Sequence, residues 1–132
     1  MALTPEVVQV VEDLVVVCID GSLDLPTAQH IYQHLDRVLA ERRYCLSLFD
    51  LRRAEIPSQE SRRWISHWFK QRDVSRIAVA TFGTGLVVRT INRMFDGAIA
   101  LLTGQPAPAR HFSHEAEAHA WLAARRRAFA AL

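Results

Sequence analysis

A chain of 132 residues that is 50% apolar and 23% charged has the size and make-up of one globular domain, residues 1–132, which excludes a disordered or fibrous protein. Its 16 basic residues, of which only Lys70 is a lysine, face 14 carboxylates for a net charge of +2, which excludes the broad positive field of a nucleic-acid-binding surface. Arg89, Asn92, Arg93 and Asp96 interrupt the most apolar region well short of the roughly 18 apolar residues a membrane span needs, and with no leader pattern at Met1 the expected location is cytoplasmic.

The first predicted elements are two strands, Val7–Val11 and Leu14–Ile19, with Glu12-Asp13 as the turn of a hairpin, because β-branched residues crowd both sides of a two-residue polar break. The second strand is apolar at successive positions, the pattern of a strand covered on both faces. Asp24 is a candidate N-cap and Pro26 suits a first turn, so a helix is expected from Leu25 to Arg42 with Ala28, Ile31, Leu35, Val38 and Leu39 facing the core. A strand over Tyr44–Leu51 follows. Ser58 then caps a second helix in which Trp64, Ile65, Trp68 and Phe69 share one face until Gln71-Arg72-Asp73.

Ser75–Phe82 reads as a fourth strand and Gly85–Leu102 as a third helix, stopped by Gly104-Gln105-Pro106. A short strand at Arg110-His111-Phe112 leads to a last helix with Ser113 as its cap. The order β-β-α-β-α-β-α-β-α implies an α/β fold: a mostly parallel central sheet, an antiparallel N-terminal edge strand and helices packed on it.

The run His111-Phe112-Ser113-His114-Glu115 through Ala120-Trp121-Leu122, the segment Val74-Ser75-Arg76-Ile77-Ala78-Val79-Ala80, and the Gly21-x-Leu23 step before the first helix resemble, in this order, the SpoIIAA-like branch of the STAS superfamily. The resemblance implies a regulatory or binding module related to anti-sigma-factor antagonists and to the Sec14 lipid-transfer fold. Antagonists of that kind carry Asp-Ser-Ser-Gly where the third strand meets the second helix, and a serine there is phosphorylated. This chain instead has Glu55-Ile56-Pro57-Ser58-Gln59-Glu60-Ser61, leaving Ser58 and Ser61 as the possible phosphosites, with helix capping as the alternative role.

The remaining candidates are weighed on their own chemistry. His30 and His34 have the four-residue spacing of a metal pair but no third ligand, and His111, His114 and His119 are too scattered for one, so no metal and no cofactor is expected. Cys18 and Cys45 sit in apolar runs and read as small hydrophobes. Thr81-Phe82-Gly83-Thr84-Gly85, with Arg89 one turn on, could offer backbone amides to an anion or could simply be a tight turn. No nucleophile elbow is present, so no catalytic residues are assigned.

The third helix carries the functional expectation. Its sheet-facing stripe is read as Val87, Ile91, Met94, Phe95, Ala98 and Leu102, while Leu86, Val88, Ile99 and Leu101 make it apolar on further faces, and such a helix needs a second partner. Trp64, Trp68, Phe69, Val87, Met94 and Phe95 are therefore the expected ligand or partner surface. The expected function is a non-enzymatic binding or regulatory module, a homodimer contacting a partner protein or a lipid-like ligand. The alternatives are a serine-phosphorylation switch or an enzyme of unknown reaction.

Overall fold

In the computed structural model, which describes residues 8–131, β1 (Val8–Val11) folds back antiparallel on β2 (Leu14–Gly21), with Val11 opposite Leu14. Val7, read as the start of that strand, lies outside the described residues. Glu12 makes the turn in the left-handed region at φ 57°, a conformation uncommon for a residue with a side chain. From β2 the chain runs through α1 (Leu25–Arg42), β3 (Cys45–Ala54), α2 (Gln59–Lys70), a 3-10 turn at Val74–Arg76 and β4 (Ile77–Phe82). It finishes with α3 (Leu86–Thr103), β5 (Ala109–Phe112) and α4 (Glu115–Ala130).

The five strands lie in the order β1-β2-β3-β4-β5, and every pair after the first is parallel. This is the expected α/β architecture. Strands added in one direction through right-handed crossovers put every crossover helix on the same face. On that face α1 and α2 set Ile31, Leu35, Ile65, Trp68 and Phe69 against Val15, Val17, Phe49 and Val79. Helix α4, which crosses to no further strand, covers the other face with Ala118, Leu122 and Phe129 against Leu46, Leu48, Ala78, Ala80 and Phe82.

Because α4 rests on β3 and β4, β2 is sealed on one face only. Val15, Val17 and Ile19 are buried, whereas Val16 is half-buried and Cys18 is exposed. The expectation of a doubly covered β2 is corrected accordingly, and Cys18, read as a small hydrophobe, stands in solvent. The strand buried along its whole length is β4.

Two of the three predicted helix caps stand where expected. Asp24 Oδ1 accepts the Thr27 N–H at 2.9 Å, and Ser58 Oγ accepts that of Ser61 at 3.1 Å. The third shifts by one residue: His114, not Ser113, caps α4. Glu117 Oε1 accepts the His114 N–H at 3.2 Å, and this reach back over three residues fixes the cap's frame.

Two ionic latches tie the layers together. The Arg72 guanidinium spans both oxygens of Asp36 at 2.7 and 3.0 Å, the Trp68 indole N–H donates to the same carboxylate at 3.2 Å, and so α2 is fixed to α1. Arg126 of α4 holds both oxygens of Asp13 at 2.8 Å, and the Tyr44 hydroxyl donates to Asp13 at 2.8 Å. Within the basic run at 125–127, the middle residue thus clamps α4 to the first hairpin.

Candidate functional site

The surface expected from Trp64, Trp68, Phe69, Val87, Met94 and Phe95 does not exist as one patch. Trp68 and Phe69 are buried, packed edge-on against Tyr32 with ring centroids 4.8 and 6.0 Å away, and Trp64 is half-buried beside the same ring. Helix α3 is also rotated from its predicted setting. Ile99 is its fully buried residue among those described, and Ile91 and Phe95, at four-residue spacing from it, are half-buried. Val87, Met94, Ala98 and Leu102, all assigned to the inner stripe, are exposed. A helix apolar on several faces gives the sequence no contrast from which to read its phase.

Beneath α3 lies a cavity of about 100 Å³ between that helix, α2 and the sheet. Its apolar wall includes Leu51, Ile65, Phe69, Ile91, Phe95 and Ile99. A few polar groups punctuate it: Arg62, Thr81, Asn92, Asp96 and His111. Burial pushes the Tyr32 hydroxyl in the same wall above the ordinary tyrosine range, and the nearby Asp96 charge adds to the shift. Arg62 Nε is buried without a hydrogen-bond partner. On the solvent side a groove of about 380 Å³ runs between α2 and α3, and Arg62, Ile91 and Phe95 line both spaces.

Three of the polar groups form a hydrogen-bonded chain. Thr81 Oγ1 lies 2.6 Å from His111 Nδ1, and His111 Nε2 lies 2.7 Å from Asp96 Oδ2. A carboxylate only accepts, so Nε2 carries the proton and, in the neutral ring, Nδ1 accepts from the threonine hydroxyl. Strand pairing creates the arrangement: Thr81 and His111 are register partners on β4 and β5, and α3 brings Asp96 over them.

The predicted anion turn is largely committed to structure. Thr81 is held by His111, the Gly83 N–H donates to the Phe112 carbonyl at 3.3 Å, and Gly83, at φ 83°, is packed so closely that a Cβ there would collide with the Arg52 side chain. Gly85 serves as the α3 N-cap residue. Thr84 Oγ1 is buried without a partner. Arg89 instead turns toward a separate cleft of about 300 Å³ that it lines with Arg93, Ala109, Arg110, His111 and Ser113. Sequence reasoning missed Arg62 and Asp96 as site residues.

The candidate phosphosites differ from each other. Ser61 is fully buried and its hydroxyl donates to the Leu23 carbonyl at 2.9 Å, so it offers no accessible hydroxyl in this state. Ser58 is half-buried at the α2 N-cap, with its Oγ 2.7 Å from that of Ser61. His30 and His34 pack edge to face at 5.0 Å, and burial, then the neighbouring His30, lowers the His34 pKa. Burial pushes the Cys45 thiol up to about 12, where it stays protonated and unreactive at neutral pH.

Solved structures similar to the chain include two with the same fold. One is an uncharacterized protein of the DUF3478 family with a SpoIIAA-like fold from Shewanella loihica PV-4, at 17% identity and TM-score 0.59, covering 87% of this chain and 89% of that one. The other is the anti-sigma factor antagonist SpoIIAA in its unphosphorylated form, at 11% identity and TM-score 0.57, covering 89% of this chain and 94% of that one. No family model matches the sequence, and no curated protein sequence does so either. The fold is thus SpoIIAA-like, and no helix in the described residues is long and apolar enough to cross a membrane.

Proposed function

We propose that this SpoIIAA-like fold serves as a non-enzymatic binding or regulatory module that receives an apolar ligand beneath α3 and pairs with a second copy through the outer face of that helix. The observation that carries the reading is the setting of α3. It leaves a cavity over the sheet while holding Leu86, Met94 and Leu101 at 80%, 69% and 88% exposure, and apolar surface of this kind is where soluble proteins take up ligands and partners. A cavity of about 100 Å³ is below the usual size of a ligand site, roughly 300 Å³ or more, so occupancy requires α3 to move outward. Native mass spectrometry of the protein as purified tests both halves. Dimeric species and a retained or added long-chain alcohol at one per subunit support the reading; a strictly monomeric protein that takes up no alcohol contradicts it.

One observation favours a second reading, an enzyme. The Thr81–His111–Asp96 chain places a hydroxyl, an imidazole and a carboxylate in sequence beside an apolar cavity, and a ring nitrogen accepting from a hydroxyl is the arrangement of a general base on a nucleophile. Assay against a panel of activated esters, with Thr81→Val as the blank, distinguishes the two. Hydrolysis by the parent that the variant loses supports the enzyme, and equal rates oppose it.

A further inference from the structure

We propose that the apolar ligand beneath α3 is a fatty acid, a hydrocarbon chain ending in a carboxylate, and that Arg62 of α2 holds its head group. The inference rests on the apolar-ligand reading above and names the ligand class that reading leaves open.

Arg62 stands at the junction of two spaces, lining both the cavity over the sheet and the outer groove between α2 and α3. Its Nε is buried with no hydrogen-bond partner, a condition that Thr84 Oγ1 alone shares among the side-chain nitrogens and oxygens of the described residues. An exposed guanidinium is satisfied by water. A buried N–H of a cation with no acceptor is costlier to leave unmade than a neutral hydrogen bond, so a ligand that brings an acceptor to Arg62 gains an interaction that the unliganded state forgoes.

The chemistry of that acceptor follows from how Nε is used elsewhere in the chain. Arg52, Arg72 and Arg126 each set Nε and a terminal nitrogen on the two oxygens of one carboxylate, those of Asp50, Asp36 and Asp13, at 2.7 to 3.0 Å. A planar carboxylate fits this side-on pair of N–H groups. Among the described residues the walls offer none to Arg62: no Asp or Glu lines the groove, and the single carboxylate of the cavity, Asp96, accepts from His111. A phosphate monoester would bring close to two negative charges to one guanidinium, whereas a carboxylate brings one.

The surroundings of Arg62 divide as such a ligand does. Arg63 and His67 make the α2 wall of the groove polar, while Met94, Ala98 and Leu102 make the α3 wall apolar. On the inner side, Leu51, Ile65 and Ile99 offer a chain only apolar contact. The Asp96 charge disfavours an anion at the β5 end of the cavity, which sets the polarity of the ligand: carboxylate at Arg62, chain directed under α3.

The test is calorimetric titration of the full chain at neutral pH with dodecanoate, dodecanol and dodecyl phosphate, each below the concentration at which it forms micelles. One dodecanoate per subunit is expected, bound about tenfold tighter than dodecanol, the difference made by charge-assisted hydrogen bonds. Arg62→Met keeps an apolar stem and removes the guanidinium; it should erase that preference and leave the affinity for dodecanol unchanged. Arg62→Lys keeps the charge without the paired N–H groups; its preference should fall below the parent's, and it carries the test if the methionine variant does not fold. Arg37→Met, at an exposed position of α1, should retain the parent's preference. Dodecanoate bound no tighter than dodecanol by the parent, a preference preserved in either Arg62 variant, or an equal loss in R37M overturns the assignment of Arg62. Dodecyl phosphate bound tighter than dodecanoate overturns the carboxylate as the head group. The two readings fail differently: dodecanol uptake without a preference for the acid removes the head-group inference alone, and binding of none of the three removes both.

Discussion

On one face of the sheet α4 presses Ala118, Leu122 and Phe129 into Leu46, Leu48 and the small residues Ala78 and Ala80 of β4; toward the β5 edge of the opposite face, α3 commits Ile99 fully and leaves space over Thr81. Both helices are apolar enough to close a sheet. What separates them is the layer beneath. Alanines on β4 let α4 approach closely, and the Arg126–Asp13 clamp holds its far end. Under α3 the sheet presents Thr81 and His111, polar groups whose partners must be placed before any packing is efficient. A closed face supplies stability, and a face left open by polar groups supplies a site.

The largest expected effect lies on the closed face. Leu122→Ala should lower the unfolding free energy by about 3 kcal/mol, measured by urea denaturation; a loss below ~1 kcal/mol would mean that α4 is as loosely seated as α3. Next comes the clamp. Arg126→Ala strands the Asp13 carboxylate, whose side chain is 4% exposed, at a cost of about 2 kcal/mol, reduced from that of a fully buried pair because Arg126 itself is half exposed. The Arg126 hydrogen bond holds the Asp13 pKa below its ordinary value. A depressed carboxylate stabilises the fold fully above its unfolded-state pKa of about 4 and loses that contribution as pH falls through the folded-state value. The gap between parent and variant should therefore be constant from neutral pH down to about pH 5 and narrow below about pH 4. A gap independent of pH into the acid range would remove Asp13 from the account.

Much of this contrast could be read in the residues, and the reasons for the rest are physical. Helix α1 was legible because Ala28, Ile31, Leu35 and Val38 alternate with polar neighbours and are buried as their spacing requires. Helix α3 was not, since apolar residues on several of its faces erase the contrast that sets a phase, and the true inner line of Ile91, Phe95 and Ile99 emerged only from tertiary contact. Trp68 looked like a surface anchor because its partner, Asp36, lies 32 residues away on another helix. The Thr81–His111 pair could have been found by laying β5 beside β4 in parallel register; Asp96 depends on the rotation of α3 and could not.

Smaller effects sharpen the open side. Thr81→Val keeps the volume but leaves His111 Nδ1 without its partner, and should cost about 1 kcal/mol in denaturation; no cost would show that the chain of hydrogen bonds does not tie α3 to the sheet. Leu101→Ser should change monomer stability by less than ~0.5 kcal/mol, as expected of a residue already in solvent, while shifting the mass measured by light scattering from two subunits toward one. An unchanged mass would place the contact between copies elsewhere.

Amide hydrogen exchange, followed by mass spectrometry with and without a long-chain alcohol, tests the difference between the two helices most directly. The account predicts that peptides from α3 (Leu86–Thr103) exchange faster than those from α4 (Glu115–Ala130) in the free protein and become protected when the alcohol binds, with α4 unchanged. Equal protection of the two helices in the free protein, or an alcohol-induced change confined to α4, would contradict it.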